Sequence, residues 1–280
     1  MIAETTLGQA RKQGIDRLRP TSPTPILDVE CLLEAATELP RVRMRSHPET
    51  PLSAEAKWRY QTLLERRANG EPIAYCLGRR DFMDFTLKVS PDVLIPRPET
   101  EHLIAAALTS SPARVLDLGT GSGCVAIALA RAWPTASVDA VDQSAKALTL
   151  ARQNAKALGA ERIRFYQGNW YAPVKDQRYD LIVANPPYIA NAETEPNQGD
   201  AQFEPTHALR AGPSGLEALN QVISGAPTQL TNQGQLWLEH GYRQGQAVRT
   251  QLQAAGFTAI TTQNDLAGHE RISGGIWSAA

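Results

Sequence analysis

Cysteine is scarce in this chain: Cys31, Cys76 and Cys124 are the only three among 280 residues. An odd number with no Cys-x-x-Cys pair predicts reduced thiols, not a disulfide framework, and fits a cytoplasmic protein. The five histidines, His47, His102, His207, His240 and His269, are scattered with no His-x-x-x-His pair to hold zinc, so no metal is expected. Also missing is any run of about 18 apolar residues of the kind that a membrane helix needs. The first twenty residues are polar and charged without an apolar core. A soluble protein with no membrane partner is therefore expected, and a monomer is the expectation for its assembly.

Neither sign of charge is in excess. The formal net charge is -1, with 13 Lys and Arg against 12 Asp and Glu in residues 1–85 and 15 against 17 beyond them. Such a chain has no field for gripping a phosphate backbone, and direct binding of nucleic acid is not expected. Arginines do cluster, at Arg41, Arg43 and Arg45, at Arg66 and Arg67, and at Arg79 and Arg80, but acids are interspersed. These clusters read as solvated helix faces.

What the chain does have is 42% hydrophobic residues, enough at this length for a sizeable core and for two unequal domains. Residues 1–70 read as a small helical bundle. One helix runs to about Leu18, and a second from about Ile26 to Leu39 carries Ile26, Val29, Leu32, Leu33 and Ala36 at helical spacing. A third opens on Ser53 as N-cap, carries Trp58, Leu63 and Leu64, and stops at Asn69-Gly70. Residues 71–98 form a β-hairpin and proline-stiffened linker ending in Ile95-Pro96-Arg97-Pro98, with Glu99 and Glu101 at the positive end of the next helix. This segment could roof a ligand pocket, with Arg97 and Thr100 as possible contacts.

Residues 99–280 alternate strands and helices, the pattern of a doubly wound α/β sheet with a final hairpin. Arg114 to Leu118 is a buried strand that runs into Gly119-Thr120-Gly121-Ser122-Gly123 and then an Ala-rich helix from Cys124 to Ala132. Glycines let the backbone approach a ligand, and the helix amino terminus offers free N–H groups. Strand Ser137 to Val141 ends in Asp142, at the distance from the first glycine where an acid holds ribose hydroxyls. Helix Ser144 to Leu158 and strand Arg162 to Gln167 follow, and Trp170 just beyond can cover an adenine face. Gly121 to Ala126 also fits the dinucleotide fingerprint, so the loop alone admits a nicotinamide enzyme as well as one using S-adenosylmethionine. Later elements are helix Gly215 to Leu230, strand Gln235 to Glu239, helix Gln244 to Ala255 and strands Thr258 to Thr262 and Arg271 to Trp277.

The tie is broken by Asn185-Pro186-Pro187-Tyr188, which follows the apolar strand Tyr179 to Ala184. Two prolines hold the chain extended and stiff, so the Asn185 side-chain oxygen and the Pro186 carbonyl become two acceptors aimed in fixed directions. Two acceptors suit an NH2 group, and the Tyr188 ring can lie flat on the conjugated plane that carries it. Such a nitrogen is a poor nucleophile toward a methyl carbon. Acceptors on its hydrogens would favour a pyramidal nitrogen with its lone pair directed at that carbon, so that no strong base is needed. Asp117 reads as a loop buttress or an indirect cofactor contact. The polar loop from Ile189 to Gly212, carrying Phe203-Glu204-Pro205, could close over a substrate.

Taken together, these residues resemble the release-factor glutamine N5-methyltransferases, the HemK-like family of class I S-adenosylmethionine enzymes. The resemblance spans nearly the whole chain. It rests on the helical amino-terminal region, Gly70 to Tyr75, Ile95 to Glu101, the glycine loop, Asn185 to Tyr188, Phe203-Glu204-Pro205 and the closing Glu270-Arg271. It implies a Rossmann-like, mostly parallel sheet with a final antiparallel hairpin strand, preceded by a helical domain that docks the substrate. It also implies methylation of the glutamine amide in the Gly-Gly-Gln loop of class 1 release factors. Gly119, Thr120, Gly121, Ser122, Gly123, Asp142, Trp170 and Asn185 would hold S-adenosylmethionine, while Asn185, Pro186, Pro187 and Tyr188 would hold and orient the amide. A nucleic-acid amino methyltransferase shares the Asn-Pro-Pro-Tyr turn, because an exocyclic base amine is equally conjugated. A non-catalytic scaffold would have no use for both the ribose acid and the two-acceptor turn.

Overall fold

The computed structural model describes residues 5–194 and 199–279. Its chain divides into two units, Met1–Arg79 with Asn197–Phe203, and Arg80–Pro196 with Glu204–Ala280.

The first unit is helical: α1 (Leu7–Leu18), α2 (Pro25–Thr37), α3 (Arg41–Ser46), α4 (Ala54–Ala68) and α5 (Ile73–Leu77). Thr6 opens α1 with a capping box, its hydroxyl accepting from the Gln9 N–H while its own N–H donates to Gln9 Oε1. Pro25 starts α2 where a missing N–H costs nothing, and Ser53 caps α4 by accepting from the Ala56 N–H. The apolar stripes of these helices meet in a core that includes Leu7, Leu18, Leu32, Leu33 and Met44. Gly14 is needed here, because a Cβ would fall 1.9 Å from the Tyr60 hydroxyl, which donates to the Ala10 carbonyl.

Several expectations for this region change. Trp58 is 67% exposed, since the inward stripe of α4 runs through Ala56, Tyr60 and Arg67 and leaves position 58 on the far side. Ile26, in the first turn of α2, is also exposed, and the buried face begins at Asp28 and Val29. Arg67 is not on a solvated face but buried. Its Nε donates to Asp28 Oδ2 at 2.7 Å, and its Nη1 donates to Asp200 Oδ1 and to the Glu71 carbonyl. Arg66 grips the Glu71 carboxylate and the carbonyls of Tyr75 and Cys76, while Arg45 pairs with the buried Glu30. The helices α3 and α5 were not anticipated: they are short, and α3 buries only Met44, too little for a period to show.

Strands β1 (Arg79–Phe82) and β2 (Phe85–Lys88) pair as a two-stranded sheet. The second unit continues with α6 (Thr100–Ala107), β3 (Arg114–Leu118), α7 (Cys124–Ala132), β4 (Ser137–Asp142), α8 (Ala145–Ala157), β5 (Arg164–Gln167) and β6 (Tyr179–Ala184). After these come β7 (Ile189–Ala190), α9 (Thr206–Leu209), β8 (Arg210–Gly212), α10 (Glu217–Gly225), β9 (Leu230–Glu239), α11 (Gly245–Ala254), β10 (Phe257–Asn264) and β11 (Glu270–Trp277). The loop from Ile189 to Gly212 includes residues 195–198, which lie outside the described residues, and β7 and β8 pair at its two ends.

The central sheet has the order β10-β11-β9-β6-β3-β4-β5. Pairings from β9 through β5 are parallel, and β11 is antiparallel to both β9 and β10, as expected for the closing hairpin. Strands covered on both faces are apolar at nearly every position, as in Leu181-Ile182-Val183-Ala184. Alternate residues of β6 feed two cores. Leu181 and Val183 pack with α6 and α7 on one face, and Ile182 and Ala184 pack with α10 and α11 on the other. The expected helix from Gly215 to Leu230 is shorter because Pro227 follows Gly225 and brings no N–H, which leaves Leu230 to start a longer β9.

Candidate active site

The strand order reverses at β3: β4 and β5 follow on one side of it, and β6 and β9 lie on the other. A crevice opens beyond the carboxyl ends of strands at such a point. In register, Leu118 lies beside Val141 and Ala184, so the glycine loop, Asp142 and Asn185 all leave the sheet at the same level. Together they line one cleft at the carboxyl edge of the sheet, where small-molecule sites of α/β sheets lie.

The glycine loop can be built only from glycine at its alternate positions. Gly119, Gly121 and Gly123 have φ of 75°, 55° and 86°, a region that costs L side chains roughly 1–2 kcal/mol each. The Gly119 and Thr120 N–H groups donate to the Val141 carbonyl, and the Gly121 N–H donates to Asp142 Oδ2 at 2.9 Å. Asp142 Oδ1 accepts from the Ser144 N–H. From behind, the buried Asn154 amide donates to the Ser122 carbonyl and to the Lys88 carbonyl, locking the loop to β2. Asp117 accepts from the Ala126 N–H in the first turn of α7, and burial pushes its carboxyl up to about 7. It is thus a buttress of the loop that also lines the cleft.

Two features of the loop fit a bound polar ligand. The Thr120 hydroxyl lines the cleft and is buried with the Asp117 carboxyl as its polar neighbour, which leaves its oxygen able to accept from a ligand. In addition, a Cβ on Gly119 or Gly121 would meet nothing closer than 3.9 Å, so the backbone there faces open space.

Trp170 also lines the cleft, in the turn after β5 at a φ of 47°. Its ring edge comes within 3.9 Å of where a Gly119 Cβ would stand, and so does the Asn185 carbonyl. Leu94 and Pro96 of the linker and Thr100 of α6 close the cleft, and His207 and Ala208 of α9 close it further. Arg97 is not among the lining residues. Its guanidinium pairs with the buried Glu204, whose other oxygen accepts from the Ile95 N–H, so Glu204 clamps the Pro-Arg-Pro segment.

Of the Asn-Pro-Pro-Tyr turn, Asn185 and Pro187 line this cleft, whereas Pro186 is buried and Tyr188 stands outside the lining. The Asn185 Nδ2 donates to Thr100 Oγ1 at 3.1 Å, and Thr100 Oγ1 donates to Glu239 Oε2 at 2.8 Å. The Tyr188 hydroxyl donates to Glu239 Oε1 at 3.3 Å. Glu239, at the carboxyl end of β9, is buried, and burial pushes it up to about 7; burial likewise pushes Tyr188 up. No role was read for Glu239 in the sequence, although an acid closing a parallel strand at the crevice was a usable signal. Nothing in the sequence marked His207 or Asn154.

Among the described residues, no cluster of three or more His, Cys, Asp or Glu could hold a metal ion, and no helix is long and apolar enough to cross a membrane.

A doubly wound sheet with an antiparallel penultimate strand, a glycine loop after β3 and an acid after β4 is the fold of the class I methyltransferases. Solved structures agree on the fold: a methyltransferase from Pyrococcus furiosus superposes with a TM-score of 0.54 at 16% identity, covering 69% of this chain and 89% of that one. A T. thermophilus 16S rRNA methyltransferase in complex with AdoMet and guanosine gives 0.53 at 18% identity, covering 71% and 49%. Residues 99–212 match the methyltransferase small domain family, and residues 9–78 match the PrmC N-terminal domain. The chain is 46% identical over 253 residues to the release factor glutamine methyltransferase of Xylella fastidiosa, covering 89% of this chain and 92% of that protein. It is 44% identical over 266 residues to the one from Pseudomonas aeruginosa, covering 94% and 96%. The chain belongs to the release factor glutamine methyltransferases.

Proposed function

We propose that this protein, a monomeric cytoplasmic enzyme, transfers a methyl group from S-adenosylmethionine to the side-chain amide nitrogen of the glutamine in the Gly-Gly-Gln loop of class 1 peptide chain release factors. The observation that carries the reading is the placing of Asn185: its Nδ2 is held by Thr100 inside the cleft, which leaves Oδ1 as an acceptor for a substrate amide. Near-full-length identity to release factor glutamine methyltransferases supplies the substrate class.

The residues divide the work as follows. Gly119, Thr120, Gly121, Ser122 and Gly123, with Asp142 and Trp170, bind the cofactor, Asp142 taking the ribose hydroxyls. The cofactor supplies an electrophilic methyl group on a sulfonium. Asn185 Oδ1 and the Pro186 carbonyl accept the two hydrogens of the glutamine NH2, which orients its lone pair; Pro187 stiffens the turn and the Tyr188 ring packs on the amide plane. Orientation in a site that excludes water is the main contribution, without a dedicated base. Residues 1–70 are assigned to docking the release factor, 71–98 to the linker and 99–280 to methyl transfer.

The test offers purified enzyme and radiolabelled S-adenosylmethionine either a release factor or bulk RNA. Label in the release factor alone is the expected result. Label confined to RNA would assign the same turn to an exocyclic base amine.

A further inference from the structure

Two buried side chains behind the Asn-Pro-Pro-Tyr turn, Thr100 and Glu239, join Asn185 to Tyr188 in a hydrogen-bond chain whose direction is set by an ionised Glu239. Asn185 Nδ2 meets Thr100 Oγ1 at 3.1 Å, Thr100 Oγ1 meets Glu239 Oε2 at 2.8 Å, and the other Glu239 oxygen meets the Tyr188 hydroxyl at 3.3 Å. Thr100 is 2% exposed and Glu239 1% exposed, so water has little access to substitute for any link.

Above about pH 7, to which burial raises it, Glu239 is ionised and has only acceptor sites. The one hydroxyl proton of Thr100 must therefore point at Glu239, and toward Asn185 the Thr100 oxygen offers only lone pairs. The Asn185 amide has to answer with its NH2, and Oδ1 is left facing the cleft. If Thr100 lost its acceptor on the Glu239 side, its proton could turn to Asn185 and draw Oδ1 inward. Nδ2 would then face the substrate, donor against donor, and the acceptor would be lost.

The fold builds this chain from rigid parts. Ala184 pairs with Leu238 in register, which sets Asn185 and Glu239 side by side at the ends of β6 and β9. Thr100 is the first residue of α6, so its position is fixed by a helix packed on the same strands.

We infer that Glu239, acting through Thr100, is a positioning residue for methyl transfer that fixes the Asn185 amide with Oδ1 toward the substrate and anchors Tyr188 with its second oxygen. This inference rests on the proposed function and adds two residues to it. Neither Glu239 nor Thr100 donates or removes a proton in the reaction; both act on the orientation of the turn.

The experiment compares Thr100→Val, Thr100→Ser and Glu239→Gln with the unsubstituted enzyme. It reads kcat on a release factor, the Kd of S-adenosylhomocysteine by calorimetry and the melting midpoint. Valine keeps the shape of Thr100 but ends the chain, so kcat falls about tenfold or more while the Kd stays within about threefold. Serine keeps the hydroxyl and restores kcat to within about threefold of the unsubstituted value. Glutamine can accept with one oxygen only, and it lowers kcat with the Kd retained because either Thr100 or Tyr188 loses its acceptor. A Thr100→Val enzyme with unaltered kcat, or a Thr100→Ser enzyme as slow as the valine variant, would overturn the inference. So would an unaltered kcat in Glu239→Gln. Absence of release-factor methylation by the unsubstituted enzyme is a separate outcome that removes the function on which the inference rests.

Discussion

Asp142 accepts the Gly121 N–H on Oδ2 at 2.9 Å, so the acid assigned to the ribose also shapes the glycine loop. With Oδ1 it takes the Ser144 N–H, at the start of α8. Removing this carboxylate should cost both a ligand contact and the order of the loop. Asp142→Ala is expected to weaken S-adenosylmethionine binding by at least about tenfold, because hydrogen bonds to a charged group contribute roughly 1.5–3 kcal/mol each. Isothermal titration measures it, and an unchanged Kd would take Asp142 out of the cofactor site.

Stability should depend on pH through two buried carboxyls. Burial raises Asp117 and Glu239 to about 7 in the folded protein, from the ordinary carboxyl values of 3.8 and 4.5. Between those limits the folded state holds protons that the unfolded state has released, so stability falls as pH rises from about 4 to about 7 and levels off above. Each group contributes on the order of a few kcal/mol to the change. Asp117→Asn should flatten that part of the profile. Urea unfolding across pH would count against the account if the variant kept the full slope.

In the first unit, the buried ion pair of Arg67 and Asp28 should be costly to break. Arg67→Ala would leave Asp28 2% exposed and without its cation, a situation that typically costs about 3–5 kcal/mol. It also releases Asp200 and the Glu71 carbonyl. A clear drop in the melting midpoint is expected. A drop no larger than that of Arg17→Ala, whose pair with Glu65 is exposed, would show that the burial of Arg67 does not matter.

Much of this was legible because the signals were local. The loop Gly119 to Gly123 announces positive φ, and Asn185-Pro186-Pro187-Tyr188 announces a stiff turn after a buried strand. Fully apolar runs such as Leu181 to Ala184 identified the central strands. What escaped were properties set by partners distant in sequence. Arg67 looked like one of a surface cluster because nothing near it names Asp28 as its partner, and Trp58 looked internal because it is a large aromatic in a helix, although Lys57 and Arg59 flank it and the buried stripe runs through Ala56 and Tyr60. Glu239 and Thr100 are 139 positions apart, and only strand register and helix packing join them to Asn185.

Asn185→Ala should separate binding from chemistry. The cleft keeps the glycine loop, Asp142 and Trp170, so affinity for S-adenosylhomocysteine should stay within about threefold, while kcat falls on the order of a hundredfold or more with the loss of an acceptor. Single-turnover kinetics beside calorimetry give both numbers. An equal loss in both would make Asn185 a binding residue only.

The most direct measurement is peptide mapping by mass spectrometry of a class 1 release factor after incubation with the enzyme and S-adenosylmethionine. The account predicts one added methyl group on the glutamine of the Gly-Gly-Gln loop, and none when that glutamine is replaced by alanine. A methyl group elsewhere on the factor, or one that persists in the alanine variant, would contradict it.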